Sequence, residues 1–372
     1  MVSRNKDMKS KVIPWWQPQV EKEDWKFVKK ALDANFVNEG PLTAEFEKKI
    51  AAFVGAKYGI ASTSCTAGLF LALKAGGIGH GDEVIAPDIT FIASVNAIHL
   101  TGATPILVDI DPTTLNISLQ AIERAITGKT RAIMPVHVTG RGCEMDEIMQ
   151  IAKKHNLMVV EDAAEALGSK YKGRYLGTIG DVGCFSFSPN KTITTGQGGM
   201  IVTNSDKLYG LIKKLKDHGR PKRGTGGDDV HDSVGYNFRP TDMQAGLGLG
   251  QWRHFAKRVK RLERNYKLYA QHLQGVGDIR IFPTRPGEVP QWTDIETDHR
   301  DALCEYLSSH NMDSRRYWFP IHSQQAYKQN DTNFPNSTRM SARSVWLPSA
   351  FTLTDKDILN VSKAVKQFFK TR

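Results

Sequence analysis

The sequence predicts an α/β protein, with a mostly parallel sheet covered on both faces by helices and a smaller αβ unit after it. Apolar runs at residues 105–109, 131–136 and 157–162 alternate with helical patterns at 118–126 and 144–155. Such alternation argues for parallel strands joined by crossover helices. A length of 372 residues is enough for two filled cores, at roughly 150 residues each. We therefore expect a large domain over 1–250, including an N-terminal helical segment, and a small domain over 251–372.

Composition narrows the class. An apolar fraction of 40% and a charged fraction of 24% are ordinary for a soluble protein. No apolar run reaches the roughly 18 residues that span a bilayer, and the basic start MVSRNKDMKSKVIPWW has no apolar core. A cytoplasmic protein without a membrane partner is expected. Cys65, Cys143, Cys184 and Cys304 are widely spaced, with no CxxC or Cys/His pattern, so reduced thiols and no metal are expected. The net charge of +11 is spread along the chain, although 213–223 and 257–264 are dense in Lys and Arg. The second cluster alternates with Phe255, Val259, Leu262 and Tyr266 and reads as the solvated face of a helix. No nucleic-acid partner is expected from it.

The elements follow in order. Residues 20–34 read as an amphipathic helix on Trp25, Val28 and Leu32, with Pro18 upstream. FVNEGP at 36–41 is a turn, and 43–53 resume a helix without the Glu of a capping box. A strand at 58–63 leads into Ser64-Cys65-Thr66-Ala67-Gly68, which opens a helix through Lys74. A Ser/Thr-rich helix start offers N–H groups, hydroxyls and a dipole to an anion; ordinary N-capping explains the same residues. GGIGHG at 76–81 precedes the strand at 83–86 instead of following one, so it is no dinucleotide fingerprint. A helix is expected from Thr90-Phe91 to Leu100. His137, after the strand at 131–136, reads as structural or as lining a site.

DVGCFSFSPNKTITTGQGGM, 181–200, is the chemical centre. It opens as an apolar strand, and Ser188-Pro189-Asn190 stops regular structure before Lys191. Gly196, Gly198 and Gly199 allow close backbone approach. A lysine in such a loop is either a partly desolvated nucleophile or a solvated surface group. The run LMVVED, 157–162, tips the balance, because ligands sit beyond the carboxyl ends of such strands. Pyridoxal phosphate needs a Schiff-base lysine and an acidic partner for its ring nitrogen. Asp162, then Lys191 roughly one βα step later, meets that need.

A strand at 200–203 and a helix at 208–216 follow, and the glycine-rich 220–232 reads as a mobile loop. Glycines 246, 248 and 250 weaken the next helix by roughly 1 kcal/mol each, so close packing is expected there and that helix is a candidate interface. From about Gln251 a long basic helix leads into the small domain. Its strands are expected at 280–282, 292–296 and 314–319, its helices at 300–310 and 354–369.

EDAAEALG (161–168), FSFSPNK (185–191) and TTGQGGM (194–200) resemble the signatures of the DegT/DnrJ/StrS sugar aminotransferases. The likeness runs from about Asn38 to Pro348 and is nearest the perosamine-synthase-like, 4-amino-sugar branch. It implies the aspartate-aminotransferase-like fold type I, with a three-layer large domain, and pyridoxal phosphate alternating with pyridoxamine phosphate. It also implies that Lys191 carries the Schiff base, Asp162 faces the ring nitrogen, and Phe91 stacks on the ring. Glu165, placed one helical turn past Asp162, would reach the phenolic oxygen. Thr66, Ser186 and the Cys65 amide would hold the phosphate, and Asn237, with Arg239 beside it, would reach it from a partner subunit. His322, Tyr317 and Asn38 would face the sugar. Partners implied are a nucleotide-linked keto sugar, glutamate as amino donor, and a second copy with shared sites. Cys65 replaces a usual Gly, and Gln197 a frequent Glu. Sugar dehydratases of this kind replace the lysine with histidine, so Lys191 favours transamination. Amination at the 3-position and a non-catalytic nucleotide-sugar- or nucleic-acid-binding protein are the alternatives.

Overall fold

The structure, a computed structural model, describes residues 12–221 and 230–372. The expected loop at 220–232 falls largely on residues 222–229, outside the described ones. Strands β1 (Tyr58–Ser62), β2 (Glu83–Pro87), β3 (Thr104–Val108), β4 (Thr130–Ile133) and β5 (Met158–Asp162) appear close to where periodicity places them. A short hairpin, β6 (Lys170–Tyr171) and β7 (Arg174–Tyr175), precedes β8 (Val182–Ser186) and β9 (Gly199–Thr203). The large sheet has seven strands in the order β1-β9-β8-β5-β4-β2-β3. Neighbours are parallel except β9, which runs antiparallel to both β1 and β8.

The helices are α1 (Trp25–Asp33), α2 (Pro41–Val54), α3 (Cys65–Ala75), α4 (Ala93–Leu100), α5 (Leu119–Ala125), α6 (Met145–His155), α7 (Asp206–Lys216) and α8 (Asp242–Trp252). Successive strand residues point to opposite faces, and that alternation builds two cores. Ala61, Ile85, Ile133, Val159, Phe185 and Met200 pack against α2, α5, α6 and α8. Their neighbours Ile60, Val84, Ala132, Val160, Cys184 and Ile201 pack against α3, α4 and α7. The result is the three-layer arrangement expected.

A second, smaller sheet follows α9 (Phe255–Leu273). It has the order β10-β11-β13-β12, all antiparallel, from β10 (Arg280–Ile281), β11 (Asp294–Glu296), β12 (Arg315–Arg316) and β13 (Ser344–Trp346). Helices α10 (Arg300–Ser309), α11 (Pro335–Arg343) and α12 (Asp355–Lys370) accompany it. The N-terminal segment also lies here, since Ile13 bridges to Met312 and Trp15 and Trp16 pack on Trp292.

Several expectations change. The first helix starts at Trp25, because the Glu21 amide donates to Asp24 Oδ2 and closes a turn before it. No helix separates Asp162 from Lys191. Lys172 and Gly173 both have positive φ, the geometry of a tight hairpin turn, and the segment folds as β6 and β7. Glu165 therefore lies in a turn, not a helical turn past Asp162. The glycines of α8 meet their own chain: a Cβ at Gly246 would lie 2.7 Å from Phe27 O, one at Gly248 2.8 Å from the Phe46 ring, and one at Gly250 2.8 Å from the Asp24 Cα. Packing against α1 and α2 accounts for them without a partner subunit. The expected strand at 314–319 pairs only through β12, and the pairing strand β13 carries no signal the sequence reading used.

Candidate active site

The site grows from the N-terminus of α3. Ser64 caps this helix, its hydroxyl accepting the Ala67 N–H at 3.1 Å and its carbonyl the Gly68 N–H at 3.0 Å. The amides of Cys65 and Thr66 find no protein acceptor among the described residues, as the first turn of a helix dictates. Gly199, first residue of β9, packs on this turn so closely that a Cβ would stand 2.5 Å from Ser64 O and 2.6 Å from Cys65 N. Cys65 has ordinary helical backbone, so the position has no need of glycine. Its Sγ donates to Cys184 O at 3.6 Å, and burial pushes the thiol well up, which makes it a small neutral filler and not a nucleophile.

Asp162 ends β5, buried on the side α3 opens to. Its Oδ2 accepts from Ser94 Oγ at 2.6 Å and its Oδ1 from the Ala164 N–H at 3.0 Å. Burial raises its carboxyl above the ordinary value, and Ser94, Ala164 and Lys191 pull it back only in part. Lys191 Nζ lies 3.2 Å from Glu165 Oε1 and 4.9 Å from the centre of the Trp292 ring. Its side chain is only 10% exposed, which rules out the solvated-surface reading. Glu165 is raised by burial, with Lys191 and the Thr139 N–H opposing. Ser186 Oγ donates to Ser188 Oγ at 3.2 Å, and Ser188 Oγ donates to Gln197 Oε1 at 3.2 Å, which gives Gln197 a contact the sequence could not supply.

These groups line one cavity of about 460 Å³. Cys65, Thr66, Phe91, Asp162, Glu165, Ser186 and Lys191 all reach it. Phe91 is 55% exposed, so it is no core phenylalanine. The opposite wall comes from the smaller sheet and the segments flanking it: Arg315 of β12, Trp346 of β13, and Trp292 and Trp318 beside β11 and β12. Sequence reasoning missed this wall, and Ser94 as well.

Other expected residues lie elsewhere. Tyr317 is buried behind the wall, its hydroxyl donating to Asp294 Oδ2 at 2.9 Å and its ring stacked on Trp346. His322 is 1% exposed, with Nδ1 2.6 Å from Asp88 Oδ2 and Nε2 3.2 Å from Asp331 Oδ1, and its ring lies against Phe334. In this chain both are structural, because all their polar atoms are engaged away from the cavity. Asn38 is exposed and reaches α8 by its carbonyl, which accepts the Asp242 N–H. Asn237 is exposed and bridges to Asp217, and Arg239 pairs with Asp217 at 3.2 Å. None of these three lines the chain's own cavity. His137 is buried at 2.9 Å from Glu161 Oε2, which also takes the Gly177 amide; it too is structural.

The sequence profile of the DegT/DnrJ/EryC1/StrS aminotransferase family matches residues 18–366. The chain belongs to that family. GDP-perosamine synthase of Escherichia coli O157:H7 is 36% identical over 97% of this chain and 100% of its own. GDP-perosamine synthase of Caulobacter vibrioides is 37% identical, over 94% and 96%. Among solved structures, Spr1654 of Streptococcus pneumoniae, known in PMP and PLP forms, superposes with a TM-score of 0.91 at 26% identity, covering 96% of this chain and 99% of its own in the PMP form.

The chain is a pyridoxal-phosphate-dependent sugar aminotransferase of fold type I. Its donor set fits the cofactor. Open helix amides and a serine hydroxyl suit a phosphate, a buried carboxylate suits a protonated ring nitrogen, and a largely buried amine suits an aldehyde. No helix among the described residues is long and apolar enough to cross a membrane, and no group of three or more His, Cys, Asp or Glu among them suits a metal ion.

Proposed function

We propose that this protein moves an amino group from L-glutamate to carbon 4 of a nucleotide-linked 4-keto-6-deoxy hexose, for a cell-surface polysaccharide such as an O-antigen. The observation that carries the reading is the joint presence of Lys191, Asp162 and the open α3 amides around one cavity. The names of the E. coli and Caulobacter relatives turn the sugar towards the 4-amino class and the carrier towards GDP.

Pyridoxal phosphate, when bound, supplies the electron sink that makes a C–H bond beside nitrogen acidic. Thr66, Ser186 and the Cys65 and Thr66 amides would hold the phosphate, and Phe91 would cover the ring. Asp162 would hold the proton on the ring nitrogen; the Ser94 hydroxyl opposes the burial that favours its neutral form. Lys191 would be the residue that holds the cofactor's aldehyde, and its amine, when free, would serve as the acid/base of the site. Glu165 Oε1 holds that amine in place. Arg315 faces the cavity beside the Trp15 and Trp346 rings and has no carboxylate partner among the described residues, so it meets the anionic part of each substrate in turn. Asn237 and Arg239 complete the phosphate site of a second copy, which makes the enzyme a homodimer with shared sites. The cell compartment is the cytoplasm, where nucleotide sugars are made.

The test is to incubate the purified enzyme with glutamate and GDP- or dTDP-linked 4-keto-6-deoxy hexoses, and to follow the amino sugar by mass spectrometry. Lys191→Ala should form none. Product from Lys191→Ala, or dehydration with no amine gained, would sink the assignment.

A further inference from the structure

A second cavity, of about 480 Å³, lies beside α9 and shares no lining residue with the active site. His254, Lys257, Arg258, Arg261 and Arg264 recur at helical spacing and, with Lys260, form one wall. Gln19, Glu21, Phe351 and Thr352 form the other. Glu21 is the one carboxylate among the lining residues. Asp355, just outside, takes Arg261 at 2.6 Å and Arg264 at 3.0 Å. Lys257 and Lys260 have no ion-pair partner among the described residues. The floor is built: Arg258, 5% exposed, donates to Thr192 O, Gln251 Oε1 and Gln19 O, and lies 4.3 Å over the Phe351 ring.

We propose that this cavity binds a compact phosphate-rich anion, a diphosphate or triphosphate, free or at the end of a nucleotide. Five permanent cations against Glu21, the buried Asp24 beside His254 and Arg258, and a shared Asp355 leave about two positive charges uncompensated in one concavity. A monocarboxylate would neutralise one of them; a diphosphate neutralises two or three. Guanidinium forks and lysine point charges are the groups that bind phosphate oxygens. The volume is that of an ordinary small-molecule site. Here a helix face expected to be merely solvated becomes a cavity wall.

The experiment is calorimetric titration of the cofactor-loaded enzyme with inorganic pyrophosphate. Saturable binding is expected, weakening with added salt and falling roughly tenfold or more in the Lys257→Glu/Lys260→Glu variant, as for close charge pairs elsewhere. The binding lost in that variant should persist in Arg315→Ala, which removes only pyrophosphate taken up by the active-site cavity. Both lysines are exposed, so the variant should keep the wild-type circular dichroism and melting temperature. A folded double variant that binds like wild type, loss of binding in Arg315→Ala, or no saturable binding by the wild type would overturn the proposal. Sedimentation with phosphatidylglycerol vesicles separates the sources. A protein that pellets with vesicles and ignores free pyrophosphate would overturn a soluble ligand, while pyrophosphate binding that vesicles do not displace supports one.

Discussion

Ser94→Ala tests what biases the acid of the site towards its charged form. The Ser94 hydroxyl donates to Asp162 Oδ2 at 2.6 Å, and the two residues are 1% and 4% exposed. Burial favours the neutral carboxyl, and this hydroxyl is the strongest single group opposing it. A hydrogen bond to a charged group contributes about 1.5–3 kcal/mol, which is roughly 10- to 150-fold in an equilibrium. Without it, Asp162 keeps its proton to higher pH, and a neutral acid attracts a protonated ring nitrogen less. Pyridoxal phosphate and pyridoxamine phosphate affinity, measured by equilibrium dialysis, should fall by about that factor. The pH dependence of the bound cofactor's absorbance should shift in the same variant. In an Asp162→Asn background the Ser94 change should cost much less, since the charge it serves is gone. Affinity within twofold of wild type, or fully additive losses in the double variant, would refute the reasoning.

Three further outcomes follow from the same geometry. Asp162 and Glu165 are raised in the folded chain, so below the ordinary carboxylate range they cost nothing. As pH rises through that range to their raised values, the folded state holds protons the unfolded state has lost, and stability falls. Cofactor-free Asp162→Asn should therefore melt higher than wild type at neutral pH, with the gap closing on acidification; scanning fluorimetry across pH checks it. Gly199→Ala should lose about 1–3 kcal/mol of stability as overpacking does, and should weaken cofactor binding too, because its Cβ would meet rigid backbone of Ser64 and Cys65. Arg141 makes two 2.7 Å bonds to Asp294 in a buried pair, so Asp294→Asn should cost about 3–5 kcal/mol in denaturant unfolding.

The local rules that made the large sheet legible are short-ranged. Strand residues such as Val84/Ile85 and Val159/Val160 each serve a different face, so their runs read as buried strands before any partner is known. The same holds for the Ser64 cap, the Pro189 break and the placement of Asp162 at a strand's carboxyl end. By itself, then, the sequence determined the α/β class, the order of strands and helices up to β5, and the Lys191–Asp162 pair. What it left open depends on contacts between distant segments. Trp292 comes to Lys191 from 101 positions away, and Trp16 Nε1 donates to Pro189 O across 173 positions. Tyr317 and His322 carry the chemistry of a sugar site, yet Asp294 and Asp88 turn them inward. Only the tertiary structure decided the aromatic wall, the partner of Gln197, the hairpin between Asp162 and Lys191, and the basic cavity on α9. The physical reason is that periodicity reports which face a residue takes, while what stands opposite that face is set by chain closure, about which neighbouring residues carry no record.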